Sequence, residues 1–575
     1  MLYFICVWIG LLLGCGIIGL ALLHRSQVKV IERRGDRIIL ALWLGVIALS
    51  NTLLLLSLIT PLTPLTGLGV ILGLSAVSLL STPTRVELNR IRATLSPALV
   101  LRLLLLALPI AALTTGQVTW FDTGLYHYQS IQYLARFGTV PGTALVLSNL
   151  GFTSSWFALA APLNAAVLET RVSAVTNGFA VLLAAIHLWI SLGHCINRRA
   201  FLSDWFALAF WGLLLCLGLG LQSLSKIFVS PSPDVPCILL TGVTTWLILI
   251  CSAPAVRSPR QPIRGEPSIL ALLLAAGAMT LKLVAFPLLL ITGLFYLIRH
   301  RYNFYAILKG SLATGLLLSP LLLASLMTSG CPLFPSALFC VDLPWSLDQA
   351  TIQDVSNSTH NPTTWNDWGP TEQPSWFEAL QQWFSSNPSR QFLPISIGLS
   401  LGCAAIIIAL RFLSRRSPGE GQIWVTAVGL SGMAFLLLMS PFFRFLVPYI
   451  LISPALLLAV VLRQKWDKHF PQPRPRDSLR SQLLSGFKLT LPLALVMLVV
   501  SINLAGSNQR LILPPPLRSV PALQQQVNGI IYFSPQQNLC WATELPCAGM
   551  ISSDVYLRQP EHGIGGGFIR ARVPL

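Results

Sequence analysis

Apolar runs of about twenty residues recur along the chain from Leu2 to Ala505. An α-helix rises about 1.5 Å per residue, so each run is long enough to cross roughly 30 Å of hydrocarbon. The composition agrees, because 54% of the residues are hydrophobic and 10% are charged, against about 25% charged in an average soluble domain. The sequence therefore predicts an all-α polytopic membrane protein.

The net charge of +18 comes mainly from Lys and Arg residues in short links between apolar runs, such as residues 24–37 and 463–480. Short links rich in Lys and Arg stay on the cytoplasmic side when a membrane protein is inserted. We therefore interpret the charge as an orientation signal and expect no nucleic-acid partner. With these links inside, about fourteen transmembrane helices fit the chain, and both termini are predicted to be extracytoplasmic.

The alternation of apolar and polar stretches predicts five segments. The first run, Leu2–Leu23, lacks the basic N-terminal region and the small-residue cleavage site of a signal peptide, so we expect it to be retained as the first helix. The predicted segments are three transmembrane helices (1–97), a helical segment (98–327) with a first outer loop (119–171), an extracytoplasmic Trp- and Pro-rich loop (328–391), the C-terminal transmembrane helices (392–505) and an extracytoplasmic tail (506–575).

Residues 268–298 form either one long tilted helix or a hairpin of two short helices. A single helix would move the basic link 299–309 to the outer side, against the usual orientation of such links. A hairpin that turns near Lys282 keeps this link inside. Short or broken helices inside a bundle are also a known way to build sites at membrane depth. We therefore predict the hairpin.

Four of the eleven cysteines form two close pairs in the predicted outer segments, Cys331 with Cys340 and Cys540 with Cys547. The other seven lie in or beside predicted spans, where a free thiol behaves as a small apolar group. Close pairs on the oxidising side of a membrane are typical of disulfides. We predict two disulfides, with four unrelated thiols as the alternative.

The stretch "FDTGLYHYQSIQYLARF" begins where the fourth predicted span leaves the membrane on the outer side. Its apolar residues recur at helical spacing, which predicts an amphipathic helix in the interface. Asp122, at the start, either caps this helix or is a fixed carboxylate that accepts a proton or binds a divalent cation. His127 is a second catalytic candidate and Tyr126 a substrate-binding candidate, although both residues also suit a membrane interface.

Four further ionisable residues lie at predicted outer ends of spans. Lys226 and Asp234 lie between two spans, Lys282 lies at the hairpin turn, and Arg444 begins a later span. Asp234 alternatively caps a helix, and Lys282 alternatively extends to the lipid headgroups. Cations beside apolar helices suit a lipid phosphate, which Arg binds as a fork and Lys as a point charge. We predict that these four residues, with Tyr126, bind the substrate.

The acidic residue in the first long outer loop, the interfacial helix after it and the many spans together resemble the GT-C superfamily of integral-membrane glycosyltransferases. More narrowly, residues 100–575 look like a family of bacterial multi-pass membrane proteins of the spirochaete and cyanobacterial type. The motifs that carry this narrower resemblance include "FDTGLYHYQSIQYLARFGTVPG", "TLKLVAFPLLL", "RFLVPYIL", "CWATELPC" and "HGIGGGF".

The GT-C resemblance implies a GT-C-like core in the segment 98–327 and a sugar donor linked to polyprenyl phosphate. Many members have one span before the first outer loop, whereas three precede it here, so the resemblance also implies that residues 1–97 are an N-terminal extension. It implies transfer to a glycan or lipid acceptor of the cell envelope, on the outer face of the bacterial inner (plasma) membrane. Asp122 would match the acidic position of the family, as a base or as a ligand of Mg²⁺ or Mn²⁺. Many members have a second acidic residue there, whereas Asp122 is followed by Thr123 and Gly124, which weakens the metal role.

Three other functions stay open at this point. A transporter of lipid-linked glycans predicts paired repeats and charges deep in several helices, and the sequence displays neither. A glycan polymerase or ligase would rely on arginines in the large outer loop, where residues 328–391 contain only Arg390. A non-catalytic subunit for envelope assembly is compatible with every feature above.

Overall fold

The computed structural model describes most of the chain. The described residues are 1–26, 31–164, 168–253, 267–360, 388–413, 419–469 and 511–571, with a few positions between 375 and 381. The predicted span near 487–505 lies outside them, and so do four tryptophans of the predicted Trp- and Pro-rich loop: Trp365, Trp368, Trp376 and Trp383.

Most described residues are helical. In chain order the helices are α1 Leu2–Arg25, α2 Arg34–Leu56, α3 Pro64–Leu79, α4 Thr82–Thr94, α5 Pro97–Thr114, α6 Tyr128–Arg136, α7 Thr143–Val146, α8 Ser155–Ala160, α9 Val175–Ile196, α10 Leu202–Gly220, α11 Gln222–Phe228, α12 Asp234–Cys251, α13 Ser268–Leu281, α14 Phe286–Arg299, α15 Phe304–Ser329, α16 Gln349–His360, α17 Pro388–Leu413, α18 Glu420–Met439 and α19 Phe443–His469. A π-helical turn, Thr123–His127, precedes α6, and short 3₁₀ turns lie at Ser148–Gly151, Ala161–Leu163, Leu283–Ala285 and Pro560–Gly566.

Ten of the described helices are long and apolar enough to cross a membrane. The pair α3 and α4 would add an eleventh span, but the two helices are bent by 103° where they meet. The shorter apolar helices α13 and α14 account for two further predicted spans. The prediction of a mainly helical, multi-pass membrane protein is therefore confirmed, while the number fourteen and the sidedness of the termini stay predictions.

The bundle has two distinct ends. Helix α2 runs from Arg34 at one end to Leu56 at the other, where the Thr139 N–H donates to the Ser57 carbonyl oxygen (2.6 Å). The described residues of the segments 115–174, 330–360 and 511–571 lie at this second end, which we call the Asp122 end. The Leu2 N–H donates there to the Leu511 carbonyl oxygen (2.9 Å). The opposite end, where α2 begins, is called the Arg33 end.

Helix α2 is packed into the middle of the bundle, although it belongs to the segment 1–97 that the GT-C resemblance implied as an extension. Of its most apolar window, 78% is buried. The Asn51 side chain donates to the Thr280 hydroxyl (3.0 Å), and in α1 the Trp8 indole donates to the Val175 carbonyl oxygen (2.8 Å). The N-terminal helices therefore share one core with the rest of the bundle, and the domain boundary at residue 97 stays a prediction.

Residues 268–299 form a hairpin that turns at Lys282. The hydroxyl of Ser268, at the start of α13, lies 3.3 Å from Nε2 of His300, which directly follows α14. Two residues 32 positions apart can meet in this way only if the helices run antiparallel. The interruption between α13 and α14 leaves backbone carbonyl groups without helical hydrogen-bond partners, and side chains donate to two of them. Ser154 donates to the Leu281 oxygen (2.7 Å), and Tyr449 donates to the Val284 oxygen (3.1 Å).

The described tail is a small β-structure that the sequence did not predict. Strands β1 (Ala522–Val527) and β2 (Ile530–Pro535) form an antiparallel hairpin, and β3 (Val555–Leu557) pairs with β4 (Phe568–Arg570). The turn Asn528–Gly529 has two positive φ angles, as the tightest hairpin turns require. The Phe568 N–H donates to the Pro141 carbonyl oxygen (2.9 Å), so the tail covers the segment that follows α5.

Both predicted disulfides are present in the structure. Cys331–Cys340 closes a loop directly after α15, and Cys540–Cys547 closes a loop in the tail. Each bond reduces the conformational freedom of a segment that contains little regular structure. The two loops lie at the Asp122 end.

Candidate functional site

Asp122 lies in a helical turn but does not cap it. Its backbone is already helical (φ −61°, ψ −23°), and its side chain forms no capping hydrogen bond to the turn Thr123–His127. The carboxylate points instead toward the last transmembrane helix of the described chain, where its Oδ2 lies 3.1 Å from Nη2 of Arg444. The capping interpretation is therefore wrong in its geometry, and an ion pair takes its place.

Asp234 is the first residue of α12 and is almost completely buried, with 1% of its side chain exposed. The Ser232 hydroxyl donates to its Oδ2 (3.1 Å), and the Lys282 ammonium donates to its Oδ1. Nε of Arg444 lies 3.5 Å from the same Oδ2. Asp234 therefore joins two cations, rather than serving as the cap of α12.

These contacts form one charge cluster, which consists of Asp122, Asp234, Lys282 and Arg444. The four residues come from four segments that are distant in sequence, and the cluster contains two negative and two positive charges. Buried charges are stable when they are paired in this way. Arg444 and Lys282 keep 22% and 18% of their side chains exposed, and Asp122 keeps 14%. Both cations can therefore be reached from outside the bundle.

Aromatic rings surround the two cations. The Arg444 guanidinium lies 5.1 Å from the centre of the Trp120 ring and 4.8 Å from the Phe445 ring. The Lys282 ammonium lies 4.1 Å from the same Phe445 ring. Ring faces stabilise cations at these distances. We did not predict the rings from sequence, although Trp120 and Phe445 lie within two positions of the predicted Asp122 and Arg444.

One hydrogen-bond donor of Arg444 is not used within the cluster. Within the described residues, its buried Nε–H has no hydrogen-bond partner, because the Asp234 oxygen at 3.5 Å does not meet hydrogen-bond geometry. A buried donor without an acceptor costs free energy, on the order of 1–3 kcal/mol. The guanidinium is therefore not fully bonded within the cluster.

Tyr126 and His127 form an aromatic wall beside the cluster, together with Phe152 and Phe157. The His127 ring lies 4.5 Å from the Tyr126 ring and 5.1 Å from the Phe157 ring. His127 is fully buried, its Nδ1 lies 3.4 Å from the Thr123 hydroxyl, and its Nε2 has no partner among the described residues. Burial lowers the pKa of His127 to about 4, so the imidazole is neutral near pH 7.

Lys226 is not brought into this site. It lies exposed on the short helix α11, and no ion pair connects it to another described residue. The remaining predicted site residues, Tyr126 and His127 beside the four charges, do converge. The role of Lys226 in binding substrate stays a prediction.

The residues around Asp122 do not fit a protein-bound divalent cation. The Asp122 carboxylate faces Arg444, and the two Asp234 oxygens face Lys282, Ser232 and Arg444. A Mg²⁺ or Mn²⁺ ion needs several oxygen ligands that no cation already occupies. Within the described residues, the group of three potential metal ligands that lie close together is Asp36, His194 and Asp204, at the Arg33 end.

The C-terminal tail packs against the turn Thr123–His127, which directly follows Asp122. The Trp541 N–H donates to the Gly124 carbonyl oxygen (3.0 Å). A Cβ atom on Gly124 would lie 2.4 Å from Cε2 of the Trp541 ring, so only glycine allows this close approach. Trp541 itself lies in the loop that the Cys540–Cys547 disulfide closes. The site residues therefore pack against tail and transmembrane helices together.

Comparison with known proteins identifies the family of the chain but no activity. No curated protein matches the chain, and no solved structure matches it. A family model described as "Domain of unknown function (DUF8201)" matches residues 1–451, which include every residue of the charge cluster. Because this match covers more than half of the 575 residues, the chain belongs to the DUF8201 family.

Proposed function

We propose that this protein is an integral-membrane glycosyltransferase. In this proposal it transfers a sugar from a polyprenyl-phosphate-linked donor to a hydroxyl of a cell-envelope glycan or lipid. The reaction takes place at the Asp122 end of the bundle, on the outer face of the bacterial inner membrane. The observation that carries the proposal is the convergence of Asp122, Asp234, Lys282 and Arg444 from four distant segments.

The two cations are the proposed binding site for the donor phosphate. Arg444 is partly exposed and has a buried donor without a partner, and Lys282 offers a second positive charge beside it. A guanidinium and an ammonium group suit the oxygens of a phosphate, which carries charge at the membrane surface. The same groups would stabilise the negative charge that develops on the phosphate when the sugar leaves.

Phosphate binding would also release the base. Asp122 is paired with Arg444 before the donor binds, and a phosphate would compete with Asp122 for the guanidinium. The freed carboxylate then accepts the proton of the acceptor hydroxyl. The acceptor oxygen forms a bond to the anomeric carbon of the sugar, the bond between that carbon and the phosphate oxygen breaks, and polyprenyl phosphate leaves with the electron pair. Proton transfer of this kind contributes about 10²–10⁴-fold in rate.

Asp234 is the proposed positioning residue of the site. It is buried and bonded to Lys282 and Ser232, so it holds the ammonium group at the hairpin turn. Its location in the first turn of α12 also places a negative charge at the positive end of that helix.

The test is Asp122→Asn in cells whose chromosomal copy is deleted. The variant keeps the shape of the side chain and removes its charge, so we expect normal protein levels and loss of the envelope glycan. The matched control is Asp354→Asn, because Asp354 is an exposed aspartate on α16. Unchanged glycan in the Asp122→Asn cells would overturn the proposal.

A further inference from the structure

Helix α4 lies across the Arg33 end of the bundle. The Leu62 N–H, just before α3, donates to the Leu134 carbonyl oxygen at the Asp122 end (2.8 Å), so α3 begins at that end and runs toward the other. Helix α4 follows after a bend of 103°, nearly a right angle. Because α3 runs along the bundle, α4 runs along the end of the bundle, parallel to the membrane surface.

Glu87 fixes α4 to the neighbouring ends of α1 and α2. Its carboxylate accepts two hydrogen bonds from Arg37 (2.8 and 2.7 Å), and Nε2 of His24 lies 2.7 Å from its Oε2. Glu87 is the only acidic residue of α4. Its partners come from α1 and α2, so Glu87 does not neutralise the basic residues of α4 itself.

Three arginines of α4 lie on its outer side. Arg85, Arg90 and Arg92 are exposed, whereas Thr84, on the side that faces the bundle, is buried. Arg85 donates to the Thr82 hydroxyl (3.2 Å), and no ion pair connects any of the three arginines to another described residue. The outer side of α4 is therefore a positively charged surface whose charges have no carboxylate partner in the described chain.

Apolar side chains are exposed directly beside these arginines. Val86 in α4, Leu95 just after it, and Val100 and Leu101 in α5 are all exposed. Exposed apolar groups next to arginines are typical of a membrane interface, where the apolar groups enter the hydrocarbon and the arginines reach the headgroups. Helix α4 therefore lies at the depth of the lipid headgroups.

We infer that the outer side of α4 binds anionic phospholipids of the leaflet that contacts the Arg33 end. Guanidinium groups form charge-assisted hydrogen bonds with phosphate oxygens, and basic residues near an anionic membrane surface are attracted to it. A zwitterionic headgroup carries an ammonium group of its own, so it gains less from three arginines. This surface lies at the opposite end from the charge cluster, so lipid binding there is independent of the proposed sugar transfer.

The test measures the binding of two phospholipids to the full-length protein in detergent micelles by native mass spectrometry. The probes are dioleoylphosphatidylglycerol, which is anionic, and dioleoylphosphatidylcholine, which is zwitterionic and has the same acyl chains. We expect the wild type to bind phosphatidylglycerol at least about 5-fold more tightly, the gain from one basic residue near an anionic headgroup. Equal affinities for the two lipids would overturn the inference.

A triple variant, Arg85→Gln with Arg90→Gln and Arg92→Gln, connects this preference with α4. Gln is a good helix former, and Glu87 keeps its bonds to α1 and α2, so we expect a folded protein that binds both lipids about equally. The matched control replaces the same three arginines with Lys, which keeps the charge, and should retain the preference. A preference that survives the Gln substitutions would overturn the inference. An equal loss in the Lys control would do the same, because charge is then not the cause.

Citronellyl phosphate, a short polyprenyl phosphate, is the probe for the charge cluster at the other end. The triple Gln variant should bind it as the wild type does. Arg444→Gln should bind it more weakly and keep the preference for phosphatidylglycerol. If Arg444→Gln loses that preference, the anionic lipid binds at the charge cluster and the inference alone is overturned. If the wild type does not bind citronellyl phosphate, the proposed function is overturned, and the inference is still decided by the two phospholipids.

Discussion

The two ends of the bundle each contain a cluster of buried charges, but the clusters differ in how completely their groups are bonded. At the Arg33 end, Arg33 binds both oxygens of Asp204 (2.7 and 3.1 Å) and also Asp36 (2.7 Å). Asp204 further contacts Nδ1 of His194 (2.8 Å) and accepts from the Phe201 N–H (2.7 Å).

The charge cluster at the Asp122 end is looser. The contacts of Arg444 are 3.1 and 3.5 Å long, and its Nε–H lacks a partner among the described residues. The comparison teaches that the same residue types can serve two purposes. A fully bonded cluster fixes the ends of helices, whereas we propose that the incompletely bonded one binds a ligand.

The largest effect on stability is expected at the Arg33 end. Arg33→Gln leaves the carboxylates of Asp36 and Asp204 buried without their main partner, which typically costs about 3–5 kcal/mol. We expect a strong decrease in the thermal unfolding temperature in detergent. If Arg33→Gln unfolds at the same temperature as the wild type, the structural role of this cluster is contradicted.

Arg444→Gln is expected to affect the transfer rate much more than the stability. Asp234 keeps its bonds to Lys282 and Ser232 in this variant, and Asp122 is partly exposed, so the unfolding temperature should fall much less than in Arg33→Gln. The transfer rate should fall about 10²–10³-fold, as when other groups that stabilise developing charge are removed. The measurement is the rate of envelope-glycan labelling in cells that carry only the variant. Normal labelling in the Arg444→Gln cells would contradict the distinction between a structural cluster at the Arg33 end and a functional cluster at the Asp122 end.

The pH dependence of stability offers a further test at the Asp122 end, through His127. His194 has a carboxylate partner, whereas buried His127 has no carboxylate partner among the described residues. Burial lowers the pKa of His127 to about 4. The unfolded chain takes up this proton near pH 6.5. The folded state therefore loses stability as the pH falls from about 6.5 to about 4, by up to about 3 kcal/mol, with no change above this window.

Thermal unfolding of the wild type and of His127→Asn across this pH range measures the effect. The variant lacks the buried imidazole, so its stability should depend less on pH between 4 and 6.5. Equal pH dependence in the two proteins would show that His127 does not contribute in this way.

The smallest expected effect concerns the contact between the C-terminal tail and the Asp122 end. Gly124→Ala places a Cβ 2.4 Å from the Trp541 ring, and such overpacking typically costs about 1–3 kcal/mol. Gly69→Ala in α3 is the control, because a Cβ there meets no atom within 4 Å. Limited proteolysis of the tail should accelerate in Gly124→Ala and not in Gly69→Ala. Equal cleavage of both would contradict the contact.

The sequence predicted individual residues better than their mutual arrangement. Ionisable residues at the ends of apolar runs are unusual, and this singled out Asp122, Lys282 and Arg444. The hairpin at Lys282 followed from the position of the basic link after it. The ion pairs between these residues depend on how the helices pack, which no local pattern contains. The structure, not the sequence, also decided that Asp122 does not cap its helix.

The cluster at the Arg33 end was missed for a related reason. Arg33 was interpreted as an orientation signal, and Asp36 and Asp204 each lie in the first turn of a helix, where acidic residues are common. Only the packing of α2 against α9 and α10 joins them. The strands of the tail were missed because β1, "ALQQQV", lacks the alternation of apolar and polar residues that marks a half-buried strand.

Affinity for citronellyl phosphate in wild type and Asp122→Asn tests the central claim most directly, namely that Arg444 exchanges its carboxylate partner for a phosphate. Removing the competing charge should tighten the binding of citronellyl phosphate by Asp122→Asn in nanodiscs, even though that variant no longer transfers sugar. Weaker binding by Asp122→Asn, or no detectable binding by either protein, would contradict the exchange.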